Sequence, residues 1–393
     1  MQGKKRIVWI ADLDIDLHLH AATEIEVLGH LAQRGHEVQL WAMRSISQHS
    51  KMERGVRLFC FPIRYGPLIQ RTFFAVLLVF SLPIYLLSRK PQIVVTEPGW
   101  SILAFFWKIL MPRSLCPKLV LDIRSTPVEV HDWRTALMGF SFKISVLLAK
   151  RAFDRITTIT PFMKDDLVRD FHIRPEQIAV WSGGVSTALF DPSKHVIEGT
   201  RLRHKNGLSR AFVILYHGAL TSHRGLNEVV KSIGMLKQPK YDHVVLFVLG
   251  SGPAAPNIRK LIEEYRLQGR VVLHQAVRFT DVPKYIAMSD IGIVPLPDIP
   301  DWRHQCPNNI LEYLAMEKPM ILTDLPGNRL IVGNSNCGIY VPSADPAEFC
   351  RAIMFACDRR AELRQWGIVG RGIAKRRYDW NVVAELFENI ISS

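Results

Sequence analysis

Cysteine is scarce in this 393-residue chain: six are present (Cys60, Cys116, Cys306, Cys337, Cys350 and Cys357), none in CxxC spacing. That excludes the dense disulfide framework of a small secreted scaffold, and a reducing cytoplasmic setting is the expectation. The opening "MQGKKRIVWIAD" runs into a strand pattern with no signal-peptide character. Low-complexity tracts and fixed-period repeats are absent, which argues against disorder and solenoids, as does 48% hydrophobic against 22% charged residues. Acids are the scarcer charge, 36 against 50 Lys and Arg, and the net +14 is spread over both halves. Such a surface favours anionic partners. With no zinc finger, RNA-binding sheet signature or Arg-rich arm, nucleic acid is not expected; a membrane surface or phosphorylated small molecules are. No carboxylate-histidine spacing on one helix face calls for a metal.

Long apolar runs are few, and they lie in the first half. Residues 72–88, "TFFAVLLVFSLPIYLLS", carry no charge and stand between Arg71 and Arg89-Lys90. The run is at the lower limit for crossing a bilayer, and Pro83 interrupts it. "SILAFFWKILM" (101–111) and "RTALMGFSFKISVLLAKRAF" (134–153) are apolar with basic residues on them. Monotopic attachment with basic residues at headgroup level accounts for the three together; buried helices and a single span are the alternatives.

Two domains fit the length. "RIVWIAD", "EVQLWA", "QIVVTEP", "KLVLDIR", "RITTIT" and "QIAVWSGG" read as strands separated by helix-like segments, one with Ile25, Leu28 and Leu31 at helix spacing. A polar stretch without periodicity, residues 190–210, reads as the linker. The alternation then restarts with "FVILYHGAL", "HVVLFVLGSG", "RVVLHQAV", "IGIVPLP", "PMILTD" and "GIYVP". The reading is α/β with two Rossmann-like domains: residues 1–192 with membrane-associating helices, residues 193–377, and a C-terminal helix over 378–393 that packs on either half.

Ligands of open α/β sheets bind beyond the carboxyl ends of the strands. Three loops of the second half fit that position. In "YHGALTSHRGLNEVV", Gly218 allows close backbone approach and Arg224 offers a cation. "GSG" places Gly250 and Ser251 in a tight turn. In "CPNNILEYLAMEKPMILTD", Pro307 suits a first helical turn, Cys306 is a poor N-cap, and the amides of Asn308 and Asn309 are left open. Ile310, Leu311, Leu314 and Ala315 form its buried stripe; Asn308 and Glu312 share another face.

Taken together, "RGHEVQLWA", "ITTITPFMKDDL", "IAVWSGGVSTALFDP", "HGALTSHRGL", "VLGSGP", "VRFTDVPKYIAMSDIGIVP" and "PNNILEYLAMEKPMILTD" resemble, in order and over nearly the whole chain, the retaining glycosyltransferases of family 4. The resemblance implies the GT-B fold, two Rossmann-like domains facing a cleft, with the C-terminal helix crossing back to the first. It implies a nucleotide-sugar donor, UDP- or GDP-linked, no cofactor and no metal. By the same resemblance Glu312 binds the ribose, Arg224 clamps the diphosphate beside Gly218, Asn308 and Asn309 lie under the donor sugar and phosphate, and Arg278 and Phe279 line the base. His304 stands where the family has a second acid, and Ala219 where many members have a second diphosphate-binding Arg. The glycine-rich loop after the first strand is replaced by "DLDIDLHLHAATE", with Asp14, Asp16, His18 and His20. Asp122 and Arg124, where members often carry a site His, are expected to contact the acceptor or leaving group. The expected acceptor is a glycan or lipid-linked, at the cytoplasmic membrane face; a catalytically weakened module that binds a nucleotide sugar or a partner is the alternative.

Overall fold

"RIVWIADLD" is apolar at almost every position, as a strand covered on both faces must be. In the computed structural model, which describes residues 3–14, 21–44, 52–62, 67–126 and 133–393, it forms β1 (Arg6–Asp14). Two units divide the chain, Met1–Ser182 with Trp380–Ser393, and Gly183–Asp379.

The first unit contains, after β1, the strands β2 (Glu37–Arg44), β3 (Met52–Glu53), β4 (Val56–Pro62), β5 (Ile93–Thr96), β6 (Lys118–Ile123), β7 (Arg155–Thr158) and β8 (Ile178–Val180). Their order in the sheet is β3-β4-β2-β1-β5-β6-β7-β8, parallel except for the β3–β4 hairpin. That hairpin is missing from the sequence reading. Within its longer strand Val56 is buried, Arg57 faces out and Leu58 to Cys60 are half-buried, so no clean apolar run marks it.

Helix α1 (Ala21–Gln33) buries Ile25, Leu28 and Leu31 with Trp9 and the C-terminal helix Trp380–Ser392, whose Trp380, Val383, Phe387 and Ile391 join the same core. Glu388 of that helix holds Arg34 at 2.7 Å and His36 at 2.8 Å. The C-terminal helix is thereby part of the first unit.

The apolar runs become α2 (Pro67–Arg89), α3 (Ser101–Leu110) and α4 (Trp133–Ala152), with α3 packed against both neighbours. Among the described residues, Arg71–Arg89 is long and apolar enough to cross a membrane. It nevertheless has two faces. Phe74, Leu78, Leu82 and Leu86, four residues apart, are buried in the unit, while Phe80 and Ile84 are each 68% exposed. Phe106 and Leu110 of α3 and Leu137 and Phe140 of α4 are exposed as well. The alternative of wholly buried helices does not hold: one side of each serves the core, and the other is a broad apolar surface.

The second unit is an all-parallel sheet of β9 (Phe212–His217), β10 (Val244–Leu249), β11 (Val271–His274), β12 (Ile291–Val294), β13 (Met320–Thr323) and β14 (Gly338–Val341), ordered β11-β10-β9-β12-β13-β14. The order reverses beside β9, which creates a switch point between the ends of β9 and β12. Its start is earlier than the expected boundary at 192/193. Residues 190–210 are not a linker: they hold the helix Pro192–Lys205, capped by Asp191. This helix is anchored by Gly199, whose Cβ position is 2.9 Å from Ala287, and by Arg203, which donates to the Met288 carbonyl at 3.1 Å and pairs with Asp290 at 3.1 Å. A close backbone contact and an arginine replace the apolar stripe, so no periodicity is visible in the sequence.

Candidate functional site

At the switch point of the second unit, β9 ends in His217 and continues into Gly218, whose φ of 141° only glycine adopts without strain. The next two loops interlock. Gly218 N–H donates to the Leu249 carbonyl at 3.1 Å, Leu220 N–H to the Ser251 carbonyl at 3.0 Å, and Ala254 N–H to the Leu220 carbonyl at 2.9 Å. A side chain at Gly250 would lie 2.0 Å from the Gly218 carbonyl oxygen. Gly250 is thus required by loop-to-loop packing. Ser251 is exposed and its hydroxyl accepts from Ala276 N–H at 3.1 Å.

Arg224 closes the short turn Ser222–Arg224. Its guanidinium lies over the Trp302 ring at 4.8 Å, and Trp302 Nε1 donates to the His223 carbonyl at 2.7 Å. Arg224 also reaches the Tyr216 hydroxyl, which donates to the Ala219 carbonyl at 2.8 Å; burial pushes that phenol up to about 12, with Arg224 opposing. Gly225 follows at φ 69°, with its Cβ position 1.9 Å from the Pro295 carbonyl oxygen, so the turn is seated on the end of β12. Arg224 is a cation held in place by an aromatic ring.

The helix Asn308–Ala315 begins at Pro307, and no side chain caps it. Its first amides are open to a ligand. Tyr313 Oη donates to the Leu215 carbonyl at 2.6 Å and Asn309 Nδ2 to the His217 carbonyl at 3.5 Å, which pins the helix to β9. Glu312, expected on one face with Asn308, is buried along with Ile310 through Ala315, whereas Asn308 is half-buried. Glu312 Oε2 lies 3.4 Å from His217 Nε2. Burial pushes the Glu312 carboxyl up to about 8 and the His217 imidazole down to about 3. His217 Nε2 and Asn309 Oδ1 are buried without a hydrogen-bond partner. Unmet polar atoms, open amides and a fixed cation thus converge where β9 ends.

The remaining expected residues are more peripheral. His304 is half-buried and ends the one-turn helix Pro300–Arg303. Asp298, a possible replacement for the missing acid, is held by Arg303 at 2.9 Å; the side chain of Asp301 lies outside the described residues. Arg278 is exposed and pairs with Asp281 at 3.1 Å, and Phe279 packs on Phe190 with 5.5 Å between centroids.

In the first unit Asp122, at the end of β6, is fully buried. Its Oδ1 accepts from Thr157 Oγ1 at 2.5 Å and Trp181 Nε1 at 2.8 Å. Arg124 lies over the Trp181 ring at 4.5 Å, with Nη1 4.0 Å from Asp122 Oδ2. The sequence reading missed a third member, Glu24 of α1, which is 2% exposed. Burial pushes its carboxyl up to about 7, Arg124 opposing, and burial raises Asp122 also. One arginine thus serves two buried acids. In "ATEIEV" Glu24 reads as a first-turn acid favoured by the helix dipole, and no local signal marks it as buried. Of the first-loop residues, Asp16, His18 and His20, and the side chain of Asp14, lie outside the described residues.

Two family models match the chain, Glycosyltransferase Family 4 over residues 25–189 and Glycosyl transferases group 1 over residues 211–358. Among curated proteins, the chain is 22% identical over 253 residues to the alpha-D-kanosaminyltransferase of Streptomyces kanamyceticus, covering 64% of each chain. It is 26% identical to the putative glycosyltransferase EpsD of Bacillus subtilis, over 52% of this chain and 51% of that one. The chain thus spans between half and two-thirds of the length of these relatives. Among solved structures, Anabaena HepE in complex with UDP and glucose superposes with a TM-score of 0.77 at 14% identity, over 99% of this chain and 100% of that one. WaaG, a glycosyltransferase involved in lipopolysaccharide biosynthesis, gives 0.71 at 15%, over 98% and 99%. These likenesses show the shared GT-B fold.

Proposed function

Because the chain belongs to the family 4, group 1 glycosyltransferases, we propose that it transfers a sugar, with retention, from a UDP- or GDP-linked donor to a glycan or lipid-linked acceptor at the cytoplasmic membrane face. The observation that carries the reading is the convergence on the end of β9 of the uncapped Asn308–Ala315 helix, the ring-held Arg224 and the unmet atoms of His217 and Asn309. Negative charge develops on the leaving diphosphate, and donors already in place stabilise it without reorganisation. The amides of Asn308 and Asn309 and the Arg224 guanidinium take that role. Glu312, neutral near pH 7, both donates to and accepts from the ribose hydroxyls. No resident metal or cofactor is needed in this reading, since helix dipole and guanidinium supply the positive field. In the first unit Asp122, Arg124 and Glu24 form the polar group offered to the acceptor or leaving group.

The membrane part of the proposal rests on the exposed apolar side of α2, α3 and α4, with Arg89, Lys90 and Lys143 available to anionic headgroups. A second reading, a module that binds a nucleotide sugar or partner without transferring, is favoured by Ala219 in place of a second cation and by the engagement of Asp298 with Arg303. A panel of UDP- and GDP-sugars tests both. Turnover of one donor, with a product of retained anomeric configuration, supports transfer; binding of one donor with none turned over supports the nucleotide-sugar module; binding of none rejects both of these and leaves only a module that binds a partner.

A further inference from the structure

The strands β1, β2 and β4 to β8 run parallel, so their first residues line one rim of the sheet, opposite the rim that carries Asp122 and Arg124. This first rim is basic. Lys4 and Lys5 precede β1, Arg6 opens it, Arg57 lies in β4, Arg89 ends α2, and Lys118 and Arg155 open β6 and β7. Lys4, Lys5, Arg6 and Arg57, together with His36 and Glu37, line a concavity of about 610 Å³ at this rim, and Arg89 and Tyr85 stand outside its lining.

The cations act on one another and on a phenol. Lys118 is pulled down by burial and then by Arg155, with Asp154 opposing and Lys5 adding to the repulsion. At the last turn of α2, the half-buried Tyr85 packs edge-on against Trp41 at 5.2 Å. Its hydroxyl is raised by burial and by Glu37, while Arg89, Arg57 and Arg6 all oppose that rise. Tyr85 and Arg89, one turn apart, bring the end of α2 to the rim where Arg6 and Arg57 lie at the starts of their strands, and Glu37 is an acid of that rim. That acid meets Arg57 at 3.4 Å, and Asp154, which precedes β7, is held by Lys108 at 2.9 Å. Repulsion among the cations is a standing cost that an anion at the rim relieves.

The position of this cluster says which anion. Exposed Phe80, Ile84 and Leu87 run along α2 into the turn that carries Tyr85 and Arg89. An apolar stripe ending in a Tyr and Arg collar is the arrangement of a protein surface lying at a bilayer, the aromatic hydroxyl and cations at phosphate level. We propose that the rim centred on Arg6, Arg57, Arg89 and Tyr85 binds the phosphate of anionic phospholipid headgroups, and so holds the first unit in one orientation on the membrane. The proposal rests on the membrane reading of α2 to α4 and adds to it a site for phosphate.

Flotation of the full chain with vesicles tests it, using phosphatidylcholine alone and phosphatidylcholine mixed equally with phosphatidylglycerol. The wild type should prefer the mixed vesicles. Arg6→Gln, Arg57→Gln and Arg89→Gln combined should reduce that preference on the order of a hundredfold, at about 1 kcal/mol per basic residue, and leave the circular dichroism unchanged. Phe80→Ser with Ile84→Ser should lose binding to both vesicles. A wild type that binds both kinds equally, or a triple variant that keeps the preference, overturns the headgroup site and leaves the apolar attachment standing. If no vesicle is bound, apolar attachment fails, and soluble dihexanoyl-phosphatidylglycerol decides the site. A rise in melting temperature absent from the triple variant supports it, and no rise rejects it. An equal rise with inorganic phosphate assigns the rim to free phosphate and overturns the lipid assignment.

Discussion

His217 Nε2 lies 3.4 Å from Glu312 Oε2, yet the two do not form an ion pair. The separation is within ion-pairing range, but burial raises the acid to about 8 and lowers the imidazole to about 3, and Nε2 has no hydrogen-bond partner. Desolvation of two groups that share no third charge outweighs their mutual attraction, so both are neutral near pH 7. A neutral acid beside an uncapped helix end can donate as well as accept, which suits a diol.

The pair leaves a signature in stability. Between pH 4.5 and about 8 the folded chain keeps a proton on Glu312 that the unfolded chain has lost, so stability falls as pH rises. His217 acts in the opposite sense from about 3 to 6.5, where only the unfolded chain is protonated. The two offset each other between 4.5 and 6.5, and the decline from 6.5 to about 8 belongs to Glu312, at most about 1.4 kcal/mol per pH unit. Glu24 adds a decline of the same sign up to about 7, so the readout is the difference between variants. Glu312→Gln should flatten the upper segment in urea unfolding; an unaltered slope would refute the neutral acid.

Donor binding should depend on the same residue. Glu312→Ala removes the proposed ribose contact and should weaken UDP or GDP binding by about 1–3 kcal/mol, roughly 5- to 150-fold. Calorimetric titration measures it, and wild-type affinity in a folded variant would remove Glu312 from the site.

The loop geometry makes two glycines indispensable. An alanine Cβ at 225 would sit 1.9 Å from the Pro295 carbonyl oxygen at a φ of 69°, and one at 250 would sit 2.0 Å from the Gly218 carbonyl oxygen. Both obstacles are backbone, so the loops must move. Gly225→Ala and Gly250→Ala should each cost more than about 2 kcal/mol in unfolding free energy, whereas Gly269→Ala meets no atom within 4 Å and suffers only its φ of 81°.

Arg124 neutralises two acids at once. Arg124→Ala leaves Asp122 and Glu24 buried with no cation acting on them among the described residues and should destabilise by about 3–5 kcal/mol. Adding Glu24→Gln should recover part of that loss, because one buried acid is then gone. Additive losses across the four proteins of the cycle would show that Glu24 and Arg124 are uncoupled.

Much of this was legible locally. Every parallel strand of the second unit lies within an apolar run picked out in the sequence, since a strand buried on both faces cannot hide its composition. The open helix end at Pro307 was legible too, from a proline beside a residue that caps poorly. The face of α2 was not. Leu82 and Ile84 look alike in an uncharged run, but Leu82 is 1% exposed and Ile84 68%. Leucine, isoleucine and phenylalanine serve a core and a lipid surface equally well.

The chain order of strands, loops and turn residues, and with it the family, was determined by the sequence itself, because periodicity and turn chemistry act over a few residues. Tertiary structure alone decided the charge state of Glu312, the inclusion of Glu24 beside Arg124 and the gathering of Arg6, Arg57 and Arg89 at one rim of the first sheet. Each of these depends on desolvation or on contacts between residues distant in the chain. Water is excluded, and charges are brought together, only when the whole sheet has assembled.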